Sequence, residues 1–275
     1  MQQIGQFGVW TSYRSLGEEN AAEAARLVES LGFGTLWLGG SPQLPSVRPL
    51  LAATERLTVA TGIVNVWQVD APTLAAQHAD LAAEFPGRLL VGIGVGHPEV
   101  TTEYASPLDT MGAYLDALDE APSPLVRDAR CMAALGDRML DLSRDRSRGA
   151  HTYFVPVEHT SAARSRLGPE ALLAPELACV VGADGGRAST YAEFYLARRN
   201  YVRNLRRFGF GEEDVAGGGS ERLLDALVPQ GAAEHIAERA RAHLDAGADH
   251  VCVQPVGVSG IPREEWSALA SALLR

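Results

Sequence analysis

Short, nearly continuous apolar runs alternate along this chain with longer stretches in which apolar residues recur at helical spacing. The apolar runs read as strands at Gln6–Trp10, Thr35–Leu38, Leu57–Val64, Leu89–Gly94, Arg130–Ala134, Ala150–Val155, Leu173–Val181 and Asp249–Gln254. Between them, Ala21, Ala24, Val28 and Leu31 mark one helical face that Gly32 stops. Leu74, His78, Leu81 and Phe85 mark a second, which starts after Asp70 and Pro72. Ile236, Ala240 and Leu244 ahead of Gly247 mark a third, and Trp266, Leu269 and Leu273 after Pro262 mark the last. Strands that are apolar on both faces, each followed by a helix, predict a closed parallel (β/α)8 TIM barrel rather than an open sheet.

A length of 275 residues suits one such barrel, so a single domain over residues 1–275 is expected, with a helical excursion at about 195–228 before the last strand. The net charge of −10 argues against nucleic acid or an acidic membrane surface as partner. No apolar run is long enough to span a bilayer, and Met1–Trp10 lacks the charged start and apolar segment of a signal peptide, so a cytoplasmic location is expected. Cys131, Cys179 and Cys252 are too far apart to suggest a zinc ribbon or a disulfide framework.

One absence narrows the chemistry. The sequence contains no lysine, which excludes a Schiff-base aldolase. Its histidines show no metal-binding spacing, so a bound organic cofactor or isolated polar residues must carry any reaction.

The stretch from Pro86 to Pro98 runs a buried strand into a glycine-spaced turn, Gly92-Ile93-Gly94-Val95-Gly96-His97. Alternating glycines clear one face for close approach of a ligand, or equally allow tight packing at a barrel corner. Pro98 and the early third glycine separate it from a dinucleotide fingerprint. In a barrel the ligand loops follow the C-terminal ends of the strands, and Trp10, Gly39-Gly40-Ser41, Gly62–Trp67, Gly94–His97 and Ala134–Arg138 all fall there.

Several phrases, in this order and spacing, resemble the bacterial luciferase-like monooxygenase superfamily: Thr35-Leu36-Trp37-Leu38, Ala52 to Leu57, Ala60 to Val64, Pro86-Gly87-Arg88, Gly92 to Gly96 and Ala246 to Val251. The resemblance spans nearly the whole chain. Within that superfamily the sequence is most similar to the actinobacterial coenzyme F420 (deazaflavin) dependent oxidoreductases, and Gly62 to Trp67 and Gly217 to Arg222 fit one short subfamily. The resemblance implies a hydride-transferring enzyme that binds F420 and a small organic substrate, commonly as a homodimer. It implies a non-proline cis peptide against the cofactor ring, best matched by Gly62-Ile63, with Gly39, Val64 and Asn65 beside it. Gly94, Val95, Gly96 and His97 would line the cofactor tail and the reactive ring edge. Ala134, Leu135 and Gly136 ahead of a helix would hold its phosphate; Asp137 reads as a cap of that helix, and Arg138 as supplying charge or simply facing solvent.

The chain departs from the resembling sugar-phosphate dehydrogenases, which carry a histidine after the second strand and a glutamate near the end of the fourth. Here those places hold Gly39-Gly40-Ser41 and His97, so the acid/base pair does not transfer. His97 is the candidate proton carrier, with Ser41 as a second hydrogen-bond donor. Trp10 and Trp67 read as walls of a substrate pocket or as core packing. The arginines Arg198, Arg199, Arg203, Arg206 and Arg207 read first as a solvated face paired with Glu212, Glu213 and Asp214, and second as a clamp for an anion. His151, His159 and His250 read as structural. Two alternatives stay open: a flavin mononucleotide (FMN) dependent monooxygenase of the same superfamily, and a non-catalytic barrel that binds F420 or flavin.

Overall fold

The computed structural model describes residues 4–96, 106–183 and 185–275. Its strands are β1 (Phe7–Ser12), β2 (Thr35–Gly39), β3 (Thr58–Thr61), β4 (Val64–Asn65), β5 (Leu89–Gly94), β6 (Arg130–Ala133), β7 (Gly149–Thr152), β8 (Leu172–Val181), β9 (Gln230–Gly231) and β10 (Val251–Pro255). Eight of them pair in parallel around a closed ring, β1-β2-β3-β5-β6-β7-β8-β10 and back to β1. The short strands β4 and β9 pair with β5 and β8. This is the expected TIM barrel.

The helices are α1 (Tyr13–Leu16), α2 (Ala21–Leu31), α3 (Arg48–Ala52), α4 (Ala71–Glu84), α5 (Pro107–Asp119), α6 (Asp137–Arg146) and α7 (Val157–Leu167). After β8 come α8 (Arg187–Leu196), α9 (Arg199–Arg207), α10 (Glu212–Val215) and α11 (Glu221–Leu227), and then α12 (Ala233–Asp245) and α13 (Arg263–Leu273). None of the described helices is long and apolar enough to cross a membrane.

The two-residue period of the strands sorts the core. Trp37, Ala60, Leu90, Cys131, Ala174 and Cys252 meet inside the barrel. Their neighbours Leu36, Leu38, Val59, Val91, Met132 and Val253 pack outward against the helix ring, whose inner faces include Ala24, Val28, Leu74, Ile236 and Trp266. Asp70 caps α4 by accepting the N–H of Thr73 at 2.9 Å, and Gly32 ends α2 at φ 94°.

One strand differs from the expectation. Leu57–Val64 does not run through: β3 stops at Thr61, a cis peptide joins Gly62 to Ile63, and the chain resumes as β4. The N–H of Gly62 still bonds Leu38 O at 2.7 Å, so the break turns the backbone without leaving the barrel wall.

The phrases that carry the resemblance also hold the scaffold together. The Arg88 guanidinium donates to the carbonyls of Leu51, Thr54 and Leu57, tying the start of β5 to the loop before β3. On the other side of that loop, Glu29 accepts the N–H groups of Glu55, Arg56 and Leu57; partial burial disfavours its charge, but these bonds outweigh it and lower its pKa. His250 gives its Nδ1 proton to Gly5 O at 2.7 Å and accepts the Trp37 indole N–H at 3.0 Å. Burial pushes its pKa down to about 4, so it is a neutral bridge, as the structural reading expected.

Candidate active site

At the C-terminal ends of the strands lies a cavity of about 360 Å³. Its deep end is built by Trp10 from β1, Gly62 and Ile63 from the break after β3, and His151 and Tyr153 from the end of β7. Its outer end is built by Leu135 and Gly136 at the start of α6 and by Arg203, Asn204 and Arg207 on α9.

The deep end carries two buried polar atoms without a partner among the described residues. His151 donates from Nδ1 to Ala174 O at 2.8 Å, which leaves a lone pair on Nε2. Burial lowers its pKa to about 4, so that lone pair is free at neutral pH. The Trp10 indole N–H is likewise unmatched. Both atoms border one point, since a Cβ built on Gly62 would lie 2.6 Å from Trp10 Nε1 and 3.1 Å from His151 Nε2. A donor and an acceptor astride one point suit a group that can do both, a hydroxyl or the edge of a ring in which a carbonyl adjoins an N–H. Leaving them unmatched when buried costs about 1–3 kcal/mol per group, so a ligand that satisfies them recovers that energy.

The outer end has the opposite character. Both amide atoms of Asn204 are buried and unpartnered. Gly136 is the N-cap of α6 with no side-chain cap, leaving N–H groups of the first turn for an anion. Asp137 does not cap the helix as expected: it is the first helical residue, and its carboxylate accepts from Arg207 at 2.8 Å, which lowers its pKa. Arg138 is exposed and lies off the cavity; Arg203 and Arg207 line it instead, Arg207 with its charge paired to Asp137. Arg206 does pair with Glu212, so the arginine face is divided between solvent and cavity.

The structure gathers Trp10, Gly62, Ile63, Val95, Gly96, Ala134, Leu135 and Gly136 at the cavity. Gly39, Ser41, Val64, Asn65, Gly94, Trp67 and Arg138 do not line it, and His97 lies outside the described residues. Ser41 instead donates to Gln68 Oε1 at 2.6 Å and accepts the N–H of Asn65 at 3.0 Å. The Asn65 side chain accepts the Trp67 N–H, and the Trp67 indole donates to Val95 O, both at 3.0 Å. These residues form a brace behind the wall to which Val95 belongs. Within the glycine-spaced turn, Gly92 and Gly94 are pressed against Thr61 and Ala133 of the neighbouring strands, and the cavity meets the turn only at Val95 and Gly96.

Sequence reasoning read His151 as structural and gave no site role to Tyr153, Tyr195, Asn200, Tyr201 and Asn204. His151-Thr152-Tyr153 stands at the C-terminal end of a barrel strand, a position that itself marks ligand chemistry. The α9 residues gave no such signal, because only the folding of the excursion over the barrel mouth turns them inward.

Residues 5–124 match the family model for luciferase-like monooxygenases, from β1 through α5. The chain has the luciferase-like fold. Over 98% of both chains it superposes at TM-score 0.75 and 14% identity on an F420-dependent secondary alcohol dehydrogenase in complex with an F420-acetone adduct. The luciferase-like barrel is shared at TM-score 0.73 and 14% identity, over 99% of both chains, with coenzyme F420 dependent tetrahydromethanopterin reductase from Methanopyrus kandleri. A third, at TM-score 0.64 and 15% identity over 98% of this chain and 96% of the other, is the oxygenating constituent of 3,6-diketocamphane monooxygenase from Pseudomonas putida, in complex with FMN. No curated protein sequence matches the chain.

Proposed function

We propose that this protein is an oxidoreductase that exchanges a hydride between coenzyme F420 and a small organic substrate. The observation that carries the reading is the two-ended cavity: unmatched donor and acceptor atoms on Trp10 and His151 at one end, and an uncapped helix start with Arg203, Arg207 and Asn204 at the other. A flat ring with carbonyl and N–H groups fits the first, and an anionic phosphate tail fits the second. The two superposed F420-dependent enzymes support a deazaflavin as the occupant.

A bound deazaflavin supplies a carbon that gives or takes a hydride, and the protein's residues do the rest. Trp10 and His151 hold the ring edge by its polar atoms, while Ile63 and Val95 press apolar surface around it. Arg203, Arg207 and the α6 start fix the tail and so the register of the ring in the barrel. The apolar walls limit water, which favours hydride transfer over side reactions.

Equilibrium binding of the purified protein to F420 and, separately, to FMN, followed by fluorescence, tests the reading. Micromolar or tighter binding of F420 alone is expected. Preference for FMN moves the assignment to a monooxygenase, and binding of neither overturns it.

A further inference from the structure

Beside the cavity, in a part of the barrel not used above, lies a buried carboxyl. Glu176 sits in the middle of β8, 2% exposed, with its side chain inside the barrel between those of Ala174 and Ala178. Its oxygens have only long contacts: Oε2 with Phe154 N–H and Oε1 with Tyr191 OH, each 3.4 Å. From there a row of hydroxyls leads to the cavity. Tyr191 OH lies 2.8 Å from Tyr153 OH, Tyr195 OH lies 3.2 Å from it, and Tyr153 and Tyr195 are both cavity walls. The Tyr153 hydroxyl donates at 2.7 Å to Gln254 Oε1, a fixed acceptor that orients the row.

Among the described residues, the groups facing Glu176 do not include a cation. They are the hydroxyls of Tyr153 after β7, of Tyr191 and Tyr195 on α8 and of Tyr201 on α9, and the thiol of Cys252 on the neighbouring strand β10. The guanidinium of Arg198 acts on Tyr195 and Tyr201 of this group. With poor hydrogen bonds and no counter-charge, the neutral carboxylic acid is the favoured form; Tyr191 donates to Tyr153 and Tyr153 to Gln254, and the carboxyl stands 3.4 Å from the Tyr191 hydroxyl at the head of that row.

We propose that Glu176 is a buried proton store for the cavity, in exchange with it through the hydroxyls of Tyr191 and Tyr153. The consequence for chemistry rests on the function proposed above. When a substrate carbonyl carbon accepts a hydride from reduced deazaflavin, its π pair moves to oxygen, which takes the Tyr153 proton as that hydroxyl turns from Gln254 to the cavity it lines. Tyr153 is reprotonated from Tyr191, Tyr191 from Glu176, and Glu176 is left as the carboxylate. Glu176 then acts through Tyr153 as a positioning residue, and reprotonation from solvent resets it.

Infrared spectroscopy of the full-length protein tests the store without turnover. Wild type is expected to show the carbonyl band of a protonated carboxylic acid that titrates near pH 8 and is absent in Glu176→Gln. On transfer to heavy water that band should shift as its proton exchanges, and Tyr191→Phe should keep the band but slow the exchange tenfold or more. A carboxyl that titrates in the ordinary acidic range, or exchange equally fast in Tyr191→Phe, overturns the proposal. F420 binding is measured on the same samples: its failure in wild type defeats the functional reading and leaves the infrared result standing, whereas retained binding with no band defeats the store alone.

Discussion

The indole of Trp10 occupies the volume that a side chain on Gly39 would need: a Cβ at residue 39 would fall within the Trp10 ring. The Gly39-Gly40 pair after β2 therefore serves the cavity indirectly, by letting a strand β1 tryptophan lie across to Gly62 and present its N–H there.

Gly39→Ala should displace the indole, costing about 1–3 kcal/mol of stability by overpacking and weakening F420 binding with it. Denaturant midpoints together with a binding titration check this; unchanged values for both would show that Trp10 has room to move. Trp10→Phe is the complement. It removes the unmatched N–H while keeping an aromatic ring, so stability should hold within about 1.5 kcal/mol while F420 affinity falls.

Acid should destabilise the fold through its buried histidines. Burial pushes His151, His243 and His250 down to about 4, against an ordinary value of 6.5. The unfolded chain binds these protons more readily, so their contribution is full above pH 6.5 and is lost as pH falls toward 4. Glu176 acts in the opposite sense: raised from 4.5 to about 8, it stabilises most below pH 4.5, and that contribution is lost as pH rises through 8. Thermal melting against pH should fall steeply from pH 6.5 to 4, and Glu176→Gln should flatten only the alkaline side.

Arg203 and Arg207 face the outer end of the cavity. Replacing both by alanine should weaken F420 binding by roughly tenfold to a hundredfold, about 1.5–3 kcal/mol in charge-assisted bonds. The salt dependence of binding should flatten at the same time. Isothermal titration at two salt concentrations separates this from a loss of fold.

Arg88→Lys should be costly despite keeping the charge. A single ammonium cannot serve the carbonyls of Leu51, Thr54 and Leu57 that the guanidinium fork now holds. A loss of about 1–3 kcal/mol is expected in urea denaturation, with the binding of F420 by the remaining folded protein unaltered.

What the sequence by itself determined is the barrel. The two-residue period of the strands and the helical spacing between them are local and additive, so each element could be read where it stands, down to the Asp70 cap of α4 and the Gly32 stop of α2. Glycines at the strand ends also pointed to the correct rim. Their roles were harder to read, because Gly92 and Gly94 answer to strands β3 and β6, and Gly39 to a side chain nearly thirty residues away in sequence. Only the tertiary structure decided which polar residues share the cavity. His151 read as a structural residue until the barrel closed and left its Nε2 buried beside Gly62 without a partner among the described residues. Arg203 and Arg207 read first as a solvated face and second as an anion clamp, and only the folding of α9 over the mouth sets them at the cavity. Burial, the lack of a counter-charge and the aim of a hydrogen bond are properties of the space around a residue, and that space is built by segments far apart in the chain.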